Sequence, residues 1–219
     1  MGDSMSTIIN ATTTNGVVIQ PDNSGSLVLQ TNNGTTALTI NTSQNATFAA
    51  QATIPTINLT GGQITFPATA VPSADANTLD DYEEGTFTPI YVQSSTNPTV
   101  SYTGTAGFYR KIGSIVYVSG RISTTSVAGG SGSVFIGGLP FTVANLSVDA
   151  GSVNIGVSFS WPTNTFPLSG FPNKNTTTLL LATANSSDAR AGVDVQITSL
   201  ASGSPVNGIV FSCWYIASA

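Results

Sequence analysis

Residues 23–74 carry no charged side chain, and this one feature restricts what the chain can fold into. An uncharged stretch of that length has little electrostatic protection against association. Within and around it apolar residues recur in pairs at i and i+2: Val17/Ile19, Leu27/Leu29, Leu38/Ile40, Phe48/Ala50, Ile57/Leu59 and Ile64/Phe66. A period of two places both members on one face of a β-strand. Turn formers separate the pairs, at Pro21-Asp22-Asn23-Ser24-Gly25, Thr31-Asn32-Asn33-Gly34 and Gly61-Gly62. Each rung offers only about two large side chains, while ordering the backbone costs roughly 1–2 kcal/mol per residue. A single sheet of such rungs does not offset that cost, whereas rungs stacked from several chains do. The pattern therefore predicts a fibrous β shaft over 16–66, completed by oligomerisation, with Leu27, Leu29, Leu38, Ile40, Ile57 and Leu59 turned into a shared core. The same pattern is compatible with a sandwich edge or a weakly ordered linker.

The rest of the 219-residue chain divides around this shaft. Residues 1–15 are small and polar and read as an extended attachment arm. Residues 67–84 begin as a Pro/Ala/Ser linker and end in an acidic cluster, Asp75, Asp80, Asp81, Glu83 and Glu84, which holds half of the ten acidic residues. A short helical turn at 76–82 is compatible with that segment. From Gly85 onward the alternation is denser. Strands are predicted at Phe87–Val92, Thr99–Tyr102, Gly107–Ile112, Ile115–Ile122, Ser133–Ile136, Val153–Trp161, Thr177–Ala184, Val193–Thr198 and Ile209–Ile216. So many short strands punctuated by glycine turns predict a β-sandwich or jelly-roll-like head over 85–219, making the whole chain all-β.

Composition narrows the function. Five Lys+Arg, a net charge of −5 and no basic cluster argue against nucleic acid, which is held by Lys and Arg on phosphate. No apolar run approaches the ~18 residues of a membrane helix. The absence of histidine removes the commonest general base and metal imidazole and makes a Ser–His–Asp triad impossible. The single cysteine, Cys213, excludes an internal disulfide and reads as core packing beside Trp214 and Tyr215. A glycosidase needs two carboxylates about 5–9.5 Å apart across a cleft. Outside the acidic cluster the head has only Asp149, Asp188 and Asp194. The cluster lacks the alternating spacing of a calcium loop, so Asp80, Asp81, Glu83 and Glu84 are expected to form a structural junction, with calcium as the minor alternative. No cofactor is expected.

The segment Thr78-Leu79-Asp80-Asp81-Tyr82-Glu83-Glu84-Gly85-Thr86-Phe87-Thr88-Pro89 resembles a motif in fibre proteins of tailed bacteriophages of the marine and cyanobacterial type, where it precedes a C-terminal β-domain. Gly107-Phe108-Tyr109-Arg110-Lys111-Ile112-Gly113 is similar to the strand pair that follows it, and Gly138-Leu139-Pro140-Phe141 to a later turn. Gly25–Gln30 and Thr39–Asn41 resemble shaft repeats of such fibres. The family often has Trp at the position of Phe87 and Thr at that of Arg110, and the region after residue 145 has no counterpart in the resemblance. The resemblance implies a homotrimeric, non-catalytic virion protein assembled in the host cytoplasm. Its N-terminal arm would dock on other virion proteins, and its head would contact a host-surface glycan or protein. A capsid-mounted fibre or decoration protein has the same architecture, and a glycan hydrolase is the remoter alternative.

Residues 161–175 are the sequence's best candidate for recognition. Three aromatics and three prolines fall in fifteen positions between two predicted strands. Proline interrupts a sheet ladder, so this segment is expected to be a loop. Trp161, Phe166, Phe171, Asn173 and Lys174 are its candidate receptor contacts, offering flat faces and hydrogen bonds; packing beneath the loop is the alternative for the three aromatics.

Overall fold

The computed structural model describes residues 25–31, 33–50, 52–69, 71, 78–79, 81–148, 151–162, 165–184 and 192–218. The predicted arm at 1–15, the rung Val17/Ile19, most of the linker, Asp75, Asp80, Asp149 and Asp188 lie outside them. The chain separates into two compact units, 1–63 and 64–219.

In the first unit, β1 (Leu27–Thr31), β2 (Thr35–Ile40) and β3 (Ala46–Phe48) form an antiparallel meander in the order β1-β2-β3. The β1–β2 hairpin turns through Asn33 and Gly34, whose φ values of 58° and 99° suit residues that tolerate the left-handed region. Asn41 makes the second turn, its Oδ1 accepting the backbone N–H groups of Ser43 and Asn45, each at 3.0 Å. The register places Leu27 opposite Ile40 and Leu29 opposite Leu38, with Phe48 opposite Leu38 on the far side. Directly opposed residues share a face, so the paired apolar residues line one side of this sheet. Farther along, the expected rungs at Ile57/Leu59 and Ile64/Phe66 are not strands: the described residues from 52 to 69 contain none, and Ile57, Leu59 and Ile64 are exposed. Ile57 and Leu59, between Pro55 and Gly61-Gly62, have no neighbouring strand among the described residues to bond their backbone.

The second unit is one ten-stranded sheet. Its path runs β4 (Tyr82–Phe87), β6 (Thr99–Ile112), β7 (Ile115–Ala128), β13 (Val206–Ile216), β9 (Gly151–Phe159), β10 (Ser169–Asn173), β11 (Thr178–Ala184), β8 (Val134–Gly137), β5 (Ile90–Gln93), with β12 (Gly192–Asp194) paired to β11. All of its pairings are antiparallel. The all-β expectation holds. In place of two separately bonded sheets, however, the head closes a single curled one. Consecutive strands β4 and β5 stand at opposite ends of the path yet are joined by only Thr88 and Pro89. The three steps from Phe87 to Ile90 reach at most about 11 Å, so the ends of the sheet must lie close together. The predicted strand Phe87–Val92 is thus two strands split at Pro89. Thr99–Tyr102 and Gly107–Ile112 are instead one long strand, bent by register shifts near Tyr102. The helical turn compatible with 76–82 is not formed by the described residues there: Thr78, Leu79 and Asp81 are irregular and Tyr82 opens β4.

Curling gives the sheet an inside. On β13, Ile209, Phe211, Cys213 and Tyr215 face inward, and Val210 and Trp214 outward. Val116 and Val118 of β7, Ile136 of β8, and Leu179 and Leu181 of β11 complete the same core. Each such side chain contributes about 1.5–3 kcal/mol on burial. The closure is tied by Tyr91 of β5. Its backbone N–H donates to the Tyr102 hydroxyl at 2.9 Å, and its own hydroxyl donates to the Asn207 carbonyl at 2.7 Å.

Candidate functional site

The acidic junction is built into β4 and its partner β6. Asp81 is buried just ahead of β4 and forms an ion pair with Lys111, whose ammonium also lies 5.4 Å from the centre of the Phe141 ring. Glu83 stands opposite Lys111 in the register, and its Oε1 accepts the Tyr109 hydroxyl at 2.6 Å. That bond, to a carboxylate, pushes the Tyr109 phenol up to about 12. Glu84 points to the other face of the sheet. Its Oε2 accepts the Tyr82 hydroxyl at 2.8 Å and Arg110 Nε at 3.4 Å, and these two bonds hold its carboxyl below the usual range. Among the described residues no three acidic or thiol groups gather as metal ligands.

The candidate recognition segment is not one loop. Ser169–Asn173 is strand β10, with Phe171 opposite Leu180 and Pro172 opposite Leu179 on β11. On its other side β9 pairs only with Ser169 and Gly170. From Phe171 onward β10 is therefore an edge, where a residue without an N–H is tolerated. Trp161 packs against the core, its ring edge-on to Tyr91 at 6.2 Å and its Nε1 donating to the Gly208 carbonyl at 2.9 Å. Phe166 and Phe171 remain exposed. Asn173 Nδ2 donates to Thr178 Oγ1 at 3.3 Å, and Lys174 lies half-buried in the turn between β10 and β11. The five candidates are thus divided among the core, an exposed position ahead of β10, an exposed edge and a hairpin turn.

Cys213 is buried in the core as expected, and desolvation pushes its thiol up to about 12. In the first unit Leu27, Leu38 and Ile40 are half-buried and Leu29 and Phe48 exposed, although all share one face of the meander.

Sequence reasoning missed a surface on the second unit. The outward face of β4, β6, β7 and β13 carries Tyr82, Phe108, Tyr117 and Trp214, all exposed, around a depression lined by Glu84, Phe108, Arg110, Tyr117 and Ser119. A signal for it was present. The run Ile115-Val116-Tyr117-Val118 is apolar at every position, the pattern of a strand covered on both faces rather than one.

No protein-family model matches the chain, and no curated protein does. Among solved structures the chain is similar to the Dettilon tailspike protein (gp208), at 16% sequence identity and a TM-score of 0.48, over 63% of this chain and 24% of the tailspike.

Proposed function

We propose that this chain is a non-catalytic fibre protein of a tailed-phage virion. It acts as a homotrimer whose N-terminal part docks on other virion proteins and whose C-terminal head contacts a glycan or protein of the host surface. One observation carries the self-association: the cross-strand pairs Leu27/Ile40 and Leu29/Leu38, with Phe48 beside them, form a continuous apolar face on which Leu29 and Phe48 stay exposed among the described residues. The meander's strands are only five, six and three residues long and bury few large side chains against an ordering cost of roughly 1–2 kcal/mol per residue, and the same face repeated from further copies would complete it. The resemblance of residues 78–89 to phage fibre motifs supports the virion assignment.

A binding role also fits the carboxylates. Every described one in the second unit is held by a neighbour: Asp81 by Lys111, Glu83 by Tyr109, Glu84 by Tyr82 and Arg110, and Asp194 by the Ser133 hydroxyl at 2.8 Å. Sedimentation equilibrium of the full chain tests the proposal. Three times the chain mass is expected, and a folded monomer at micromolar concentration would overturn it. Immunogold electron microscopy of virions should label the distal ends of tail fibres. Label over the capsid would reassign the chain to head decoration.

A further inference from the structure

We infer that the outward face of β4, β6, β7 and β13 is an interface at which the head packs against another copy of this chain. The inference rests on the oligomeric fibre reading and adds a second contact to it, in the head. The register puts the face together row by row. Tyr82 stands opposite Ile112, and Ile112 opposite Ile115; in the next row Glu84, Arg110, Tyr117 and Trp214 are successive partners across four strands. Phe108 borders that row and is 61% exposed; Trp214 is 51% and Tyr117 47% exposed.

Area decides what such a face is for. A large side chain offers ~150–250 Å², so Tyr82, Phe108, Ile112, Ile115, Tyr117 and Trp214 at roughly half exposure present about 600 Å² of nearly continuous apolar surface. That is the upper end of what a monomer leaves open. Interfaces are only ~56–65% apolar, so about 600 Å² of apolar surface implies ~1,000 Å² in all, above the ~800 Å² per partner of a standard protein–protein interface. Composition agrees. Tyr, Trp and Arg adjoin in one row, the residue types that dominate binding energy at interface centres, and the face's acidic side chain, Glu84, is neutralised within it by Arg110. A second copy is the fitting occupant, since the area matches what an association of two folded chains needs and Glu84 and Arg110 balance each other within the face, leaving no charge for a partner of opposite sign to match.

Hydroxyl-radical footprinting with mass spectrometry on the full chain tests this, with the sedimentation mass read on the same sample. Phe171, 42% exposed at the edge of β10, is the internal standard. Phe108, Tyr117 and Trp214 are expected to oxidise at least ~10-fold more slowly than Phe171, and Tyr117→Asp is expected to restore labelling at Phe108. If that variant does not fold, Trp214→Gln gives the same readout. An oligomer whose face labels as fast as Phe171 would overturn this inference and leave the fibre reading standing; a monomer would overturn the fibre reading itself. Protection that appears only on adding bacterial lipopolysaccharide would overturn the assignment to a second copy and make the face a ligand site.

Discussion

The hydroxyl of Tyr91, on the last strand of the sheet path, donates to the backbone carbonyl of Asn207, at the start of a central strand, at 2.7 Å in a fully buried position. This bond joins the two sides of the curled sheet. Tyr91→Phe keeps the ring and leaves the carbonyl without that donor. The expected cost is about 1–3 kcal/mol, measured as a lower urea midpoint with an unchanged slope. An unaltered midpoint would mean that the closure does not depend on this contact.

The pair Lys111–Asp81 is largely shielded from water at the start of β4. Removing one member strands a buried charge, so Lys111→Met is expected to destabilise the head by about 3–5 kcal/mol, and the double variant Lys111→Met/Asp81→Leu to recover most of it. Thermal unfolding of these two variants and of Asp81→Leu alone checks the cycle. Additive losses would argue against direct coupling.

Alkaline stability follows from Tyr109. Its phenol rises on folding from 10.0 to about 12, because the hydroxyl donates to Glu83. A group raised on folding contributes stability that is whole below its unfolded pKa and lost as pH rises toward its folded one. Stability should therefore fall between pH 10 and about pH 12. Tyr91 and Tyr215, raised chiefly by burial, add to the same slope. Tyr109→Phe should make the decline shallower without removing it, as read from unfolding midpoints across that range.

Trp161 and Phe171 should now behave differently. Trp161 bonds the Gly208 carbonyl and packs on Tyr91, so Trp161→Ala is expected to lower stability by about 2 kcal/mol or more. Phe171→Ala, at an exposed edge, should stay within about 0.5 kcal/mol and is the cleaner test of receptor contact by adsorption to host cells. Equal stability of the two variants would contradict the core placement of Trp161.

Leu38 stands between Leu29 and Phe48 at the centre of the apolar meander face. Leu38→Asp places a charge there in every copy and is expected to abolish assembly, giving a monomer by sedimentation. An oligomer of unchanged mass would remove the first unit from the assembly interface.

Much was legible in the sequence because it depends on neighbours along the chain. Period-two alternation marked Leu27/Leu29 and Leu38/Ile40, and the turn chemistry of Asn33-Gly34 brought them face to face. Unbroken apolar runs likewise marked β7 and β11, and alternation across β13 placed Cys213 in the core. What alternation does not encode is which strand lies beside which. That Thr88-Pro89 links the two ends of one sheet, that Pro172 lies on a strand because β9 has already diverged, and that Trp161 turns under Tyr91 all depend on contacts between residues far apart in sequence. The rungs at Ile57/Leu59 and Ile64/Phe66 show the reverse case. Their local pattern is that of strands, but a strand needs a partner to bond its backbone, and the described part of a single chain supplies none. The outward face around Tyr117 and Trp214 likewise exists only once the register aligns β4, β6, β7 and β13, since its residues are spread from 82 to 214 and no local period joins them.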